Sequence, residues 1–293
     1  MMVYFKSIRQ NLNFNLIDKI TLGYIFTTLL YQSVFSFRLE SVWVHVLVRI
    51  VFVGIIAYLA WLSPRISSKF WLFIRNAYPL ILFGFFYAET DYLNNIIFST
   101  NLDPLVEKIE LVIFGFNPSV AFSHSMPQVW FSELMNFGYF SYYALILLLP
   151  LWLWIKGDVS FTYTIFIITF SFYIFYWIFI LFPVAGPQFY LDESFRTIPN
   201  SGLFRWLVRF AEWIGEGPTA AFPSSHVGIM VVMAILSYRF AKILALFYIF
   251  FGILICFSTI YIKAHYAVDV IGGLVFAPAL YIISNWIYCK LNK

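Results

Sequence analysis

About eight stretches of this chain are as long as a lipid bilayer is thick and nearly empty of charge: roughly 21–37, 42–63, 70–89, 136–155, 162–183, 224–240, 243–262 and 266–288. A helix needs about 20 mostly apolar residues to cross the hydrocarbon layer. The 21–37 and 224–240 stretches are the shortest. Overall the 293 residues are 62% hydrophobic and 11% charged, where a soluble domain carries roughly 25% charged residues. No water-soluble fold of this length hides so much apolar surface, so lipid must cover it. The 36 Phe, 20 Tyr and 10 Trp fit wide intramembrane contacts and headgroup-level rings. The expected fold is therefore all-α: a polytopic membrane helix bundle, one integral membrane domain over 1–293, with no internal repeat.

Two long connections, 90–135 and 184–223, separate the apolar runs. Within the second, Gly202–Trp213 puts Arg205, Arg209 and Glu212 on one stripe and Leu203, Trp206, Leu207, Phe210 and Trp213 on the other. That pattern predicts an amphipathic helix lying in the interface. Leu105–Phe114 is similar, with Glu107, Lys108 and Glu110 as its expected polar face.

Charge then assigns sides. Eight spans put both termini and the loops near 64–69, 156–161 and 241–242 on one face. That face collects Lys6, Arg9, Lys19, Arg65, Lys69, Lys156, Arg239, Lys242, Lys290 and Lys293 against only Asp18 and Asp158. Basic residues stay cytoplasmic during insertion. Both termini are thus expected in the cytoplasm and the long connections outside. The first apolar run, behind a mixed polar stretch, reads as a retained span and not a cleaved signal. Cys256 and Cys289 sit a helix apart in apolar runs and form no metal or disulfide framework.

Two of the four histidines keep chemical company. Phe222-Pro223-Ser224-Ser225-His226 opens an apolar run with a serine cap. The first turn of such a helix presents free N–H groups with positive partial charge, which suit a phosphate. A histidine there can protonate an oxygen leaving phosphorus. Taken alone, the segment also fits an ordinary serine-capped helix end. Further on, His265 and Asp269 stand four apart, a spacing that shares one helical face. The carboxylate would take the Nδ1 proton and leave Nε2 as nucleophile; a packing-only pair is the plain alternative. Ionisable groups inside membrane segments are expensive, which favours function. Span parity brings both histidines, and the Ala185-Gly186-Pro187-Gln188 turn, to the same face.

These segments resemble the type 2 phosphatidic acid phosphatase (PAP2) superfamily, which pairs a Pro-Ser-Gly-His segment with a second His followed four residues on by Asp. Here the pair is Pro223-Ser224-Ser225-His226 and His265-xxx-Asp269, with the matched region covering about 184–275 and an implied catalytic core of about 136–288. The resemblance implies that His265 is phosphorylated, that Asp269 orients it and that His226 protonates the leaving oxygen. Ser224 and Ser225 would hold phosphate oxygens. The chain departs from the family at Thr259, where an Arg is usual, and lacks the usual Lys…Arg-Pro segment. A phosphate still needs positive charge; Lys263, Arg196, Arg205 and the polar Gln188 are the substitutes in reach. His265-Tyr266-Ala267-Val268-Asp269 with Gly272-Gly273 is similar to the inositol phosphorylceramide synthase branch, which moves a phospho-headgroup to an acceptor lipid.

The expected activity is therefore transfer of a phospho-headgroup from a phospholipid or lipid phosphate, with water as the alternative acceptor and with no metal, cofactor or nucleic acid. A proton-coupled transporter is the rival class. It would need inverted repeats and mid-membrane helix breaks. Arg75 and Arg49, inside spans, are expected to pair inward with Glu89 or Asp91 or to bind substrate. His124 is expected to be solvated and His45 interfacial.

Overall fold

The computed structural model describes residues 13–196, 198–199, 202–215 and 217–292, without the side chains of Arg196 and Ile214. Lys6, Arg9 and Lys293, used above to assign sides, lie outside the described residues. Helices stand at all eight expected places: α1 (Leu16–Val34), α2 (Val42–Leu62), α3 with α4 (Lys69–Ala77 and Pro79–Asn94), α7 (Val129–Lys156), α8 (Ser160–Leu181), α12 (Ser225–Phe240), α13 (Lys242–Tyr261) and α14 (Ala267–Leu291). The connections add α5 (Asp103–Phe114), α6 (Pro118–Ser125), the single turns α9 (Pro187–Tyr190) and α10 (Glu193–Arg196), and α11 (Leu203–Gly215). No strand occurs among the described residues.

Among the described residues, six of these places hold helix long and apolar enough to cross a membrane, α3 and α4 being taken together. The other two places fall short for different reasons. Helix α12 has 16 residues, about 24 Å of rise against a hydrocarbon layer of ~30 Å. Helix α1 is long enough but carries Asp18, Lys19 and Gln32. The third span is broken at Pro79, whose missing N–H and ring cannot continue α3.

Helix α8 is the axis. Its sequence is apolar on every side, and a helix of that kind is stable only when surrounded. Rings wedge it to its neighbours. Tyr173 stacks on Tyr24 of α1 at 4.4 Å, and Phe172 lies 4.2 Å from Phe83 of α4. The polar tips are satisfied as well: Tyr173 donates to Thr21 Oγ1 (3.1 Å) and Tyr176 to the Phe83 carbonyl (3.0 Å).

Two charged residues inside spans find partners. Arg49 pairs with Glu89 at 2.7 Å, and His45, expected at the interface, shares the same carboxylate at 2.9 Å while stacking on Tyr92. Arg75 departs from expectation. It reaches Asp18 of α1 instead of Glu89 or Asp91, because α1 packs its first turn against α3. His124 is exposed, and Cys256 and Cys289 remain thiols.

Candidate active site

The two histidine segments meet because two helices begin side by side. Ser224 caps α12: its hydroxyl accepts the Val227 N–H at 3.4 Å, and its carbonyl accepts the Gly228 N–H at 2.9 Å. Asp269, in the first turn of α14, reaches back to accept the Tyr266 N–H at 2.7 Å. The two starts are then tied together, since the Ser224 N–H donates to the Asp269 carbonyl at 2.9 Å. Glycine permits this approach. A Cβ on Gly273 would lie 2.5 Å from the Ser224 carbonyl oxygen, and one on Gly228 would lie 2.3 Å from the Phe175 ring of α8.

His265 sits in the short bend between α13 and α14. Its Nδ1 is 2.7 Å from the Ala221 carbonyl oxygen. A carbonyl only accepts, so Nδ1 carries the proton and Nε2 presents a bare lone pair. That Nε2 lies 3.2 Å from Nδ1 of His226, which must then be the donor. The His226 ring is held by Tyr139 (centroids 4.7 Å) and Tyr142 (4.4 Å), both on α7.

The expected helical His–Asp pair takes a different form. His265 precedes α14, so the four-residue spacing does not place it one helical turn below Asp269. Asp269 Oδ2 is 3.6 Å from His265 Nδ1, beyond hydrogen-bond reach, because the Tyr266 N–H holds that oxygen. The Ala221 carbonyl fixes the tautomer, while Asp269 supplies a buried acidic group beside the ring.

The phosphate-side residues divide. Lys263, two positions from His265, adopts a left-handed backbone (φ +69°), is almost wholly buried and donates from Nζ to Ser123 Oγ at 2.6 Å. Burial first, and the Arg205 charge second, push its amine down to about 8. Arg205 itself lies 3.7 Å from Glu212. The half-buried Gln188 is anchored by its backbone N–H to the Lys263 carbonyl at 2.9 Å, through a turn at Gly186 (φ +94°) where a Cβ would stand 2.8 Å from the Ala264 oxygen. Arg196 ends α10, and its side chain lies outside the described residues.

Two acids of α5 belong to the site and were not expected there. Asp103 accepts the Ala185 and Gly186 N–H groups, each at 2.8 Å, and the Tyr266 hydroxyl at 3.1 Å. Glu110 accepts the Ala267 N–H at 2.6 Å. Both are 0% exposed, so Glu110 is not part of a headgroup-facing stripe. Burial pushes its carboxyl up to about 7, the Ala267 N–H opposing and the nearby Asp269 adding to the rise. The signal was present: Asp103, Val106 and Glu110 recur at the spacing of one helical face, and all three are buried. Glu133 of α7 does similar work for α11, accepting the Phe204 and Arg205 N–H groups at 2.9 Å each.

An apolar cavity of about 600 Å³ ends on Ser225 and His226. Its walls come from α4 (Phe83, Tyr87), α7 (Tyr143), α8 (Phe172) and α11 (Leu207, Ala211). On the outer side of α11, Trp206, Phe210 and Trp213 form an exposed aromatic ladder, as expected for an interfacial helix.

No curated protein matches the chain. No solved structure matches it either. A family model described as the PAP2 superfamily matches residues 111–283, which is more than half of the 293 and takes in both histidine segments. The chain belongs to the PAP2 superfamily, whose members are lipid-phosphatase-like phosphoesterases.

Proposed function

We propose that this protein moves a phospho-headgroup from a membrane phospholipid to an acceptor lipid or alcohol through a phosphohistidine at His265. The observation that carries the reading is one contact: a bare His265 Nε2 faces a proton donor, His226, at the end of an apolar cavity. The lone pair of Nε2 forms the N–P bond as the P–O bond to the leaving group breaks. His226 gives its proton to that departing oxygen. The acceptor hydroxyl then loses its proton to His226 while its oxygen takes phosphorus from His265. During both steps the His265 ring carries positive charge, which the Ala221 carbonyl and Asp269 stabilise.

Phosphate oxygens are held by Ser224, Ser225 and the first N–H groups of α12, with Lys263, Arg196 and Gln188 supplying the rest. The cavity takes hydrocarbon, which is why the donor is a lipid. The acceptor preference rests on the His-Tyr-Ala-Val-Asp-…-Gly-Gly string; water in its place gives a lipid phosphate phosphatase. The side assignment rests on the segregation of Lys and Arg. It puts both termini in the cytoplasm and the site on the outer or luminal face of a cell membrane.

The test uses purified protein and phospholipid labelled at phosphorus, with and without an alcohol acceptor. Label appearing on the alcohol supports transfer; label appearing only as the free phosphate compound selects hydrolysis. An acid-labile phosphoprotein that builds up in His226→Ala on a substrate with a good leaving group, and is absent from His265→Ala, supports the nucleophile assignment. Label persisting on His265→Ala removes it. Full turnover by both variants removes both histidines from the chemistry, and no turnover by wild type returns the chain to the transporter class.

A further inference from the structure

We propose that Asn94 of α4 is a positioning residue for His265, acting through Thr219 and the Ala221 carbonyl. The proposal rests on the phosphohistidine reading above, but its first readout does not require turnover.

The Ala221 carbonyl decides which nitrogen of His265 is bare, so whatever aims that carbonyl aims the nucleophile. Three features fix the preceding residues. Ala220 adopts a left-handed backbone (φ +69°), which a residue with a Cβ holds only when its surroundings demand it. The Ala221 N–H donates to the Val184 carbonyl at 3.0 Å. Thr219, 3% exposed, is held by side chains of α4.

The hydrogen bonds to Thr219 run in one direction. Thr90 has one hydroxyl proton, and it goes to the Tyr87 carbonyl at 2.7 Å. Between the Thr90 and Thr219 hydroxyls, 3.3 Å apart, Thr219 is therefore the donor. Its oxygen is then left to accept the Asn94 amide, which lies 3.0 Å away. Asn101 adds a bond to the Pro218 carbonyl at 3.2 Å. Thr90 and Asn94 are 0% exposed, so water does not compete for these bonds. The chain Asn94 to Thr219, through the strained Ala220 to the Ala221 carbonyl and on to His265 Nδ1, is continuous. Its first member lies outside the 111–283 match. On this reading the N-terminal helices complete the catalytic apparatus of this protein.

The test compares Thr219→Val, which keeps the shape and deletes the hydroxyl, Thr219→Ser, which keeps the hydroxyl, and Asn94→Leu. Ring-nitrogen NMR of ¹⁵N-histidine-labelled protein reads the tautomer directly, with the His265 signals identified by their loss in His265→Gln. Wild type and Thr219→Ser should show a protonated Nδ1 and a bare Nε2. Thr219→Val and Asn94→Leu should show a mixture of tautomers. In turnover, those two variants should lose about 10- to 100-fold in kcat, the scale of a misplaced reacting group, with KM changed by less than about threefold. Thr219→Ser should stay within about threefold of wild type. An unaltered His265 tautomer in Thr219→Val overturns the proposal, as does a rise in KM with kcat intact. If wild type turns over no lipid phosphoester, the phosphohistidine reading fails, and the NMR result alone decides whether Asn94 sets the tautomer.

Discussion

Two buried polar clusters, one at each end of the bundle, differ in how fully their carboxylates are bonded. At the end where α7 finishes, Asp18 is filled on both oxygens. Arg75 binds it through two nitrogens, the Tyr78 hydroxyl donates at 3.0 Å and the Asn15 N–H at 2.8 Å. At the end where α7 begins, Asp269 is as deeply buried, yet only Oδ2 has a hydrogen-bond partner among the described residues. His265 beside it keeps Nε2 turned to a second histidine. A carboxylate bonded on both oxygens in low dielectric has little capacity for further bonds and serves as a clamp. A site that must bind, protonate and release keeps some of that capacity back, at a cost in stability.

That contrast is broken most severely by exchanging the two kinds of damage. Asp269→Asn should lower turnover by about 10²–10⁴-fold, the scale seen when the partner of a catalytic histidine loses its charge, while the unfolding midpoint in detergent stays near wild type. Arg75→Ala should do the reverse. It leaves Asp18 buried and unpaired, at about 3–5 kcal/mol of stability, and the folded fraction should still turn over at the wild-type rate. Equal loss of activity in both, tracking equal loss of fold, would erase the distinction.

A smaller effect tests the cation beside the site. The Lys263 amine, pushed down to about 8, sheds its charge as pH rises through that value. If that charge holds phosphate oxygens, KM for the phospholipid climbs above about pH 8 while kcat moves little. Lys263→Gln should start with KM raised about tenfold and show no such climb, since it has no proton to lose. Lys263→Arg should bind without the climb. A KM that rises equally in wild type and Lys263→Gln assigns the pH limb to another group.

The contrast also explains what the sequence could disclose. The meeting of the two histidines was legible because Ser-Ser-His and His-Tyr-Ala-Val-Asp are rare chemistry in apolar surroundings, and span parity brought them to one end. The detailed partner of His265 was not, because a backbone carbonyl carries no residue signature and Ala221 looks like any alanine. Asp103 and Glu110 were hidden differently. Acids on a short helix between spans suggest headgroup contact, and only their regular spacing with Val106 marks a buried face. Arg75 was placed with the wrong acid because Asp18, near the start of α1, reads as a loop residue until the helix is seen to begin at Leu16.

Glu110 gives the finest test of the histidine end, since it is buried like Asp18 but its carboxyl is pushed up by that burial. Its carboxyl sits at about 7 in the folded protein, raised chiefly by burial, against 4.5 ordinarily. Between those values the folded chain keeps a proton that the unfolded chain has released. Stability from this group is therefore complete below about pH 4.5 and is lost as pH rises through about 7. Glu110→Gln mimics the protonated form and retains an oxygen for the Ala267 N–H, yet it has no proton to exchange. Unfolding midpoints in detergent at intervals from pH 4.5 to 8 should fall more steeply for wild type than for Glu110→Gln, with the two curves meeting at the acid end. Other carboxyls titrate in the same range, but they are common to both proteins and cancel in the difference. Parallel curves would mean that Glu110 is ionised throughout, and that the α5 end of the site is a second clamp of the Asp18 kind.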